Sequence, residues 1–262
     1  MTCMITGRGI PLNLEEAFGA LMGYRIIFFG EEHGSRADHA GELAVLSGLA
    51  ERDPDLVLAL EMFERDVQET LDGYLAGTIA EESFLERARP WPNYREDYRP
   101  LVEFAKGMGL PVIAANVPRR LAAAAARNGG ALSEENARDA AALPRVVPLD
   151  VKAYRARFME AVRKMTGAAP MSGMGIEGLY RAQILKDAVM AASLEPFLER
   201  RILFCCGRFH SDYRLGIPSQ LRKNHPGIKT AVLLSAAAAR DLPVKDRPRI
   251  ADFFWVGGRD AS

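Results

Sequence analysis

The sequence contains little cysteine, little histidine and no net charge. Its 262 residues include three cysteines and four histidines, and 34 basic residues balance 34 acidic ones. Three cysteines, of which Cys205 and Cys206 are adjacent, cannot build a disulfide framework. Balanced charge provides no general attraction to a polyanion, so the composition argues against nucleic-acid binding as the main role.

The chain also lacks a long apolar run. No stretch reaches the 18 or so apolar residues of a membrane-spanning helix, and the first residues lack the apolar core of a secretory signal. We therefore expect no membrane span and a cytoplasmic location for the chain as written. Removal of an export signal would instead imply a periplasmic protein or a membrane-anchored lipoprotein.

Short apolar runs alternate with longer segments of helical periodicity. This alternation is typical of βα units, and unbroken hydrophobicity indicates strands buried on both faces. The fold class is therefore predicted as α/β, with a mostly parallel central sheet flanked by helices. The predicted strands are 25–30, 56–62, 110–116, 201–207 and 229–235, and 253–258 is expected to add an edge strand.

Helical periodicity fills the segments between the predicted strands. We expect one domain over residues 1–262, with a helical insertion over about 118–200 between the third and fourth strands. The segment 166–178 holds four glycines without any period, and its composition fits a mobile loop or lid and a plain solvent-exposed linker equally well. The predicted helices are 36–51, 65–76, 80–88, 97–107, 118–127, 134–141, 149–164 and 177–200.

Polar side chains follow four of the predicted strands. Glu31 and His33 end the first, Glu61 lies in the second, Asn116 ends the third, and His210 follows the fourth. The carboxyl ends of parallel strands meet at one edge of a sheet, where ligands bind. Both histidines lie three residues after a glycine, in "GEEH" and "GRFH". The pair predicts one shared site.

Three interpretations of this site remain open. Imidazole and carboxylate groups can hold a divalent metal, with His33, His210 and Glu61 as ligands. The same residues with Glu31 can perform acid–base chemistry, or the histidines can face an iron porphyrin. The alternatives are a structural network without ligand and, for Glu61 alone, a salt bridge to an arginine.

Other polar residues have simpler explanations. His39 is slightly more consistent with a satisfied histidine in a first helical turn than with a ligand. Gln183 and Asp187 are expected to be solvated or to cap a helix. The aromatic and arginine residues around Trp91, within 91–99, would suit a flat anionic ring system.

Several segments together carry a family resemblance. They are "GEEH", "LALEMFERDVQETLDGYLAG", "WPNYREDYRPLVEFAKGMGLPVIAANVPR", "YRAQILKDAVMA" and "GRFHSDYRLGIP". In this order, from about residue 4 to 235, the chain resembles the ChaN-like haem-binding family. That family is similar in turn to a superfamily that includes Tiki-type metalloproteases and erythromycin-esterase-like proteins.

The resemblance implies roles for individual residues. His33 and His210 match the two GxxH histidines, Glu61 the strand glutamate, and Glu31 the glutamate of the GExH form. Haem-binding members are implied to hold the porphyrin at a dimer interface through an axial tyrosine. The candidate tyrosines are Tyr98 and Tyr180, which lie in matched segments, followed by Tyr94 and Tyr213. The motif "GRFH" lacks a further glycine found in many members, and this places Arg208 near the pocket.

Two functional hypotheses follow from these observations. The first is a haem-binding protein for iron or haem acquisition or storage, acting as a homodimer. Its haem site is expected to include Tyr98, Tyr180, Arg119, Asn116 and His39, with Arg119 paired to a propionate. The second is a metal-dependent hydrolase, an esterase or peptidase, in which a divalent ion activates water.

Overall fold

A computed structural model of the protein describes residues 3–127, 148–166, 175–240 and 242–257. Within the described ranges the strands are β1 (Met4–Thr6), β2 (Pro11–Leu12), β3 (Ile26–Glu31), β4 (Val57–Glu64), β5 (Val112–Asn116), β6 (Ile202–Gly207), β7 (Thr230–Ser235) and β8 (Phe253–Trp255). Five of these strands, β3 to β7, match predicted apolar runs within a few residues at each end.

These strands form one mostly parallel sheet in the order β2-β1-β8-β7-β3-β6-β4-β5. Strands β3 to β8 pair in parallel, and β1 pairs antiparallel with both β2 and β8. The prediction that 253–258 forms an edge strand is wrong, because β8 is hydrogen-bonded to neighbours on both sides. The amino-terminal segment, which lacks a long apolar run, supplies the outer strands β1 and β2 instead.

The helices confirm the predicted alternation. They are α1 (Leu14–Leu21), α2 (Arg36–Ala50), α3 (Gln68–Leu75), α4 (Glu81–Ala88), α5 (Arg99–Met108), α6 (Arg119–Arg127), α7 (Lys152–Thr166), α8 (Ile176–Ser193), α9 (Gly216–Asn224) and α10 (Arg247–Ile250). Between β5 and β6 the described residues form α6, α7 and α8. The predicted helix 134–141 and most of the predicted loop 166–178 lie outside the described residues.

Helices cover both faces of the sheet because alternate strand residues point to opposite sides. On one face, residues such as Phe29 pack with Leu46 of α2. On the other, Phe28 and Phe204 pack with Met190 of α8 and with α9. All six residues of β3 are buried, so its polar end must be satisfied inside the protein.

Helices α6 and α8 approach each other closely beside the carboxyl ends of β4 and β5. A Cβ atom at Gly178 would collide with the backbone oxygen of Ala126, so only glycine allows this contact. The approach sets the position of one wall of a cleft. None of the described helices is both long enough and apolar enough to cross a bilayer.

The outer edge of β5 is covered by a side chain. Gln68 of α3 donates to the oxygen of Val112 and accepts from the nitrogen of Ala114, at 2.8 and 2.7 Å. These contacts replace the hydrogen bonds that a further strand would make. An exposed edge is prone to pair with another chain, and Gln68 reduces that tendency.

Candidate functional site

A cleft of about 790 Å³ lies at the carboxyl ends of β3, β4, β5 and β6. Its floor includes the predicted residues Glu31, His33, Glu61, Asn116 and His210. The structure therefore brings these five residues together, as the strand-end pattern predicted. The apolar wall comes mainly from α6, α7 and α8: Val117, Ala122, Ala123, Ala126, Phe158, Ala161, Val162, Leu179, Ala182 and Phe209.

Glu31 and His33 form the first polar pair of the floor. Nδ1 of His33 lies 2.5 Å from Oε1 of Glu31, and the hydroxyl of Tyr98 donates to the same oxygen at 2.7 Å. Burial opposes ionisation of Glu31, but its contacts with His33, at 2.5 Å, and with His39, at 3.0 Å, lower its pKa to about 2. The carboxylate is thus a permanent anion that fixes the imidazole of His33.

Gly207, the first residue of the motif "GRFH", leaves room for the imidazole of His33. A Cβ at Gly207 would lie 2.7 Å from Cε1 and 2.8 Å from Nε2 of His33. The backbone does not require glycine here, because Gly207 has φ −53° and ψ 132°, which other residues adopt. Its role is steric: it lets the two motifs approach each other.

His210 lies between two buried carboxylates. Its Nδ1 is 2.6 Å from Oδ1 of Asp187, and its Nε2 is 3.3 Å from Oε1 of Glu61. Burial opposes protonation, yet the charges of Glu61 and Asp187 raise the pKa of His210 to about 10. At neutral pH this histidine is an imidazolium.

Glu61 is satisfied by this network. Its Oε2 accepts a hydrogen bond from the backbone nitrogen of Gly207 at 2.8 Å, and the charge of His210 outweighs burial and lowers the pKa of Glu61 to about 2. The alternative of a salt bridge between Glu61 and an arginine is wrong, because its ionic partner is a histidine. Asn116 supports the same strand by donating to the carbonyl oxygen of Glu61 at 3.1 Å.

Asp187 and Gln183 of α8 are part of the site, and the expectation of a solvated or capping role was wrong. Asp187 is fully buried against His210, and Nε2 of Gln183 lies 3.3 Å from the same imidazole. Gln183 and Asp187 lie three and seven residues after Tyr180 in α8, so all three share one face of the helix. A buried helix face that carries an acid is the sequence signal that would have revealed them.

The residues predicted to hold haem fall into two groups. Asn116 and Arg119 line the cleft, and Nε of Arg119 donates to Glu64 at 2.6 Å. Tyr98 and Tyr180 are buried outside its lining, and their hydroxyls donate to Glu31 and Asp150. Their role as axial ligands stays a prediction. Of the aromatic and arginine cluster at 91–99, Trp91 lines the cleft and packs edge-on against His33.

His39 lies behind the floor, where both of its ring nitrogens have partners. Its Nδ1 is 3.1 Å from Oε2 of Glu42, and its Nε2 is 3.1 Å from the carbonyl oxygen of His33. Sequence reasoning missed Glu42, although it follows His39 by three residues on the same helix face. In the described part of the chain, three possible metal ligands have donor atoms within 4.8 Å of one another: Glu31, His39 and Glu42. The predicted metal ligands His33, His210 and Glu61 do not form such a group among the described residues.

Comparison with known proteins agrees with this architecture. A solved structure described as cofacial haem binding to ChaN of Campylobacter jejuni superimposes with a TM-score of 0.76 at 16% identity, over 98% of this chain and 97% of that one. An effector domain of a MARTX toxin from Vibrio vulnificus gives a TM-score of 0.47 at 14% identity, over 84% of this chain and 35% of that one. At these identities the first likeness shows the fold.

Sequence comparison identifies the family of the chain. Protein RETICULATA-RELATED 5 of Arabidopsis thaliana, a chloroplastic protein, is 32% identical over 108 residues. That match covers 38% of this chain, which spans only 15% of the plant protein's length. The sequence profile described as "Haem-binding uptake, Tiki superfamily, ChaN" matches residues 17–221, which is most of the chain. The chain therefore belongs to the ChaN family of haem-binding uptake proteins within the Tiki superfamily.

Proposed function

We propose that the cleft binds haem. Its volume of about 790 Å³ is within the range of small-molecule sites, and its walls are mainly apolar. The alanines of α6, α7 and α8 leave a space without projecting side chains, as the face of a flat macrocycle requires. Membership of a haem-binding family supports the same ligand.

The proposal rests mainly on one observation, the hydrogen bonding and exposure of the His33 imidazole. Nδ1 is held by the Glu31 carboxylate, the side chain is 47% exposed, and Nε2 has no hydrogen bond within the described ranges. An imidazole that ligates a metal almost always donates its other nitrogen to such an acceptor. His33 is therefore our candidate for the iron ligand. Bound haem would supply a ferric or ferrous centre whose properties depend on this ligand.

Cationic side chains at the cleft suit the two propionates of haem. Arg119, Lys186 and Arg208 all line it. Arg208 already pairs with Asp212 and Glu32, at 3.0 and 3.2 Å. Arg119 uses Nε for Glu64, and a guanidinium has four further N–H donors. Arg119 and Lys186 are therefore the better candidates for pairing with carboxylates.

We further propose that the protein acquires or stores haem as a homodimer. The family description includes uptake, and the Campylobacter jejuni structure is described as cofacial haem binding. Two copies that meet over their clefts would cover the exposed face of each haem. Light scattering should show the mass doubling on addition of hemin, and apomyoglobin should remove intact haem. A chain that stays monomeric, or that degrades haem, contradicts this extension.

Hemin titration of His33→Ala tests the site. We expect the wild-type protein to give a saturable Soret shift at one equivalent per chain, and the variant to bind at least tenfold more weakly. His225→Ala is the matched control, since His225 lies at the surface after α9, beside Glu195. Metal-free protoporphyrin should bind both variants equally, because it needs no iron ligand.

The titration also separates the candidate ligands. If His33→Ala binds hemin as the wild type does, while Tyr98→Phe or Tyr180→Phe abolishes binding, the iron ligand is a tyrosine and our assignment is wrong. If the wild-type protein gives no saturable Soret shift with hemin, the haem proposal itself fails.

The two carboxylates beside His210 do not favour the use of this histidine as a general base in a hydrolase. A general base works best with a pKa near the working pH. The charges of Glu61 and Asp187 hold the pKa of His210 near 10, so this imidazole is protonated and cannot accept a proton at neutral pH. Turnover of ester or peptide substrates that depends on His210 would revive this alternative.

A further inference from the structure

Three buried ionisable side chains meet behind the floor of the cleft. Glu31 ends β3, while His39 and Glu42 lie one turn apart in α2. Glu42 is completely inaccessible, and the other two side chains are at most 5% exposed. His39 and Glu42 do not line the cleft, so the haem proposal gives them no role.

The imidazole of His39 has a defined orientation. Its Nε2 is 3.1 Å from the carbonyl oxygen of His33, which only accepts, so Nε2 carries a hydrogen. Its Nδ1 faces Oε2 of Glu31 at 3.0 Å and Oε2 of Glu42 at 3.1 Å. A neutral imidazole would direct a lone pair at two carboxylates. A positive species, either a proton or a cation, must therefore lie at Nδ1.

A single proton leaves this cluster incompletely satisfied. The N–H at Nδ1 aligns with Glu42 but not with Oε2 of Glu31, although that oxygen is only 3.0 Å away. Among the described residues, Oε2 of Glu31 and Oε1 of Glu42 have no hydrogen-bond partner, and both are buried. Buried polar atoms are nearly always paired, so these two oxygens need either a proton shared between Glu31 and Glu42 or a cation that both carboxylates bind.

The distances are compatible with a metal ion as well as with a hydrogen bond. Two donors at right angles in an octahedral site, each about 2.1 Å from an ion, lie about 3.0 Å apart. The observed separations from Nδ1 of His39 are 3.0 and 3.1 Å. Two further contacts orient the ligands: Nε2 of His39 meets a carbonyl oxygen, and Oε1 of Glu31 accepts from Tyr98 and His33. Such outer contacts are typical of metal sites.

We propose that Glu31, His39 and Glu42 bind a divalent transition-metal ion such as Zn²⁺ or Mn²⁺. One imidazole nitrogen and two carboxylates suit ions of this class, and the two negative charges balance the ion. The ion would fix the Glu31 carboxylate and, through it, the imidazole of His33. The site does not depend on whether the cleft binds haem.

Metal analysis of haem-free protein tests the proposal. Because the site is buried, the chain should be unfolded in chelator and refolded with either ZnCl₂ or MnCl₂ before dialysis. We expect about one equivalent of metal per wild-type chain. Glu42→Gln, which keeps the shape and a hydrogen bond to His39, should lower metal affinity at least tenfold. Asp187→Asn is the matched control, since Asp187 is a buried acid beside another histidine, and it should retain the metal.

Three results would overturn the proposal. They are less than a tenth of an equivalent in refolded wild-type protein, full metal content in Glu42→Gln, and loss of metal in Asp187→Asn alone, which would place the ion at His210. If Glu42→Gln does not fold, anomalous diffraction from wild-type crystals grown with Mn²⁺ decides. A peak bonded to Nδ1 of His39 supports the proposal, and a peak elsewhere or none refutes it. A failed hemin titration leaves this result unaffected.

Discussion

The substitution Gly207→Ala should separate haem affinity from folding stability. The new Cβ would lie 2.7 Å from Cε1 and 2.8 Å from Nε2 of His33, closer than unbonded atoms approach. The backbone at Gly207 accepts alanine without strain, because φ is −53°. The whole perturbation is therefore a collision with one imidazole.

The two consequences differ in size. The His33 side chain is 47% exposed and can rotate towards solvent, so the free energy of unfolding should fall by no more than about 1 kcal/mol, the lower end of overpacking costs. Rotation breaks the 2.5 Å contact between Nδ1 and Glu31, and it removes Nε2 from the cleft floor. We expect hemin affinity to fall at least tenfold, which is about 1.4 kcal/mol.

Soret titration and urea denaturation of the same preparation measure both quantities. Gly107→Ala in α5 is the control, since a Cβ there has no atom within 4 Å, and it should leave affinity unchanged. Hemin affinity within twofold of wild type in Gly207→Ala would refute the assignment of His33. A loss of several kcal/mol in stability would show that the imidazole cannot move as we argue.

Three further predictions concern stability. The pKa of Glu61 is lowered from 4.5 to about 2, so its contribution to folding stability is present above pH 4.5 and is lost as pH falls towards 2. The pKa of His210 is raised from 6.5 to about 10, so its contribution is present below pH 6.5 and is lost as pH rises through 10. Urea denaturation of Glu61→Gln should therefore depend less on pH at both ends than wild type, and equal dependence contradicts the network. Gly178→Ala should lower the free energy of unfolding by about 1–3 kcal/mol because its Cβ meets the Ala126 oxygen, and an unchanged Tm would show that the helices can separate. Gln68→Ala should cost about 1–3 kcal/mol and increase light scattering on warming, since it uncovers the edge of β5; a monodisperse, equally stable variant argues against that role.

Much of the fold could be predicted from the sequence because buried parallel strands leave a strong local signal. The apolar runs that became β3, β4, β5, β6 and β7 are each short and nearly free of polar residues. The outer strands β1 and β2 were not predicted, since they are two or three residues long and carry no such run. The position of β8 depends on which strands pair with it, and pairing is a long-range property.

The residues of the cleft floor were also accessible from sequence, because polar side chains at the ends of parallel strands meet at one edge. The helical contributors were not. Asp187 and Glu42 are acids on helices, where acids are usually solvated, and only packing against the sheet shows that both are buried beside a histidine. Likewise, Tyr98 and Tyr180 lie in matched segments, but only the tertiary structure shows that their side chains are outside the cleft lining and that their hydroxyls donate to Glu31 and Asp150.

The sequence by itself thus determined the α/β architecture and the convergence of His33, Glu61 and His210 at one edge, because both depend on local hydrophobicity and on the direction of parallel strands. The family followed from the resemblance of its segments. The tertiary structure alone decided how each ionisable group is paired. Contacts of 2.6 and 3.3 Å join His210 to Asp187 and to Glu61, which are distant in the chain, and no local pattern encodes those distances.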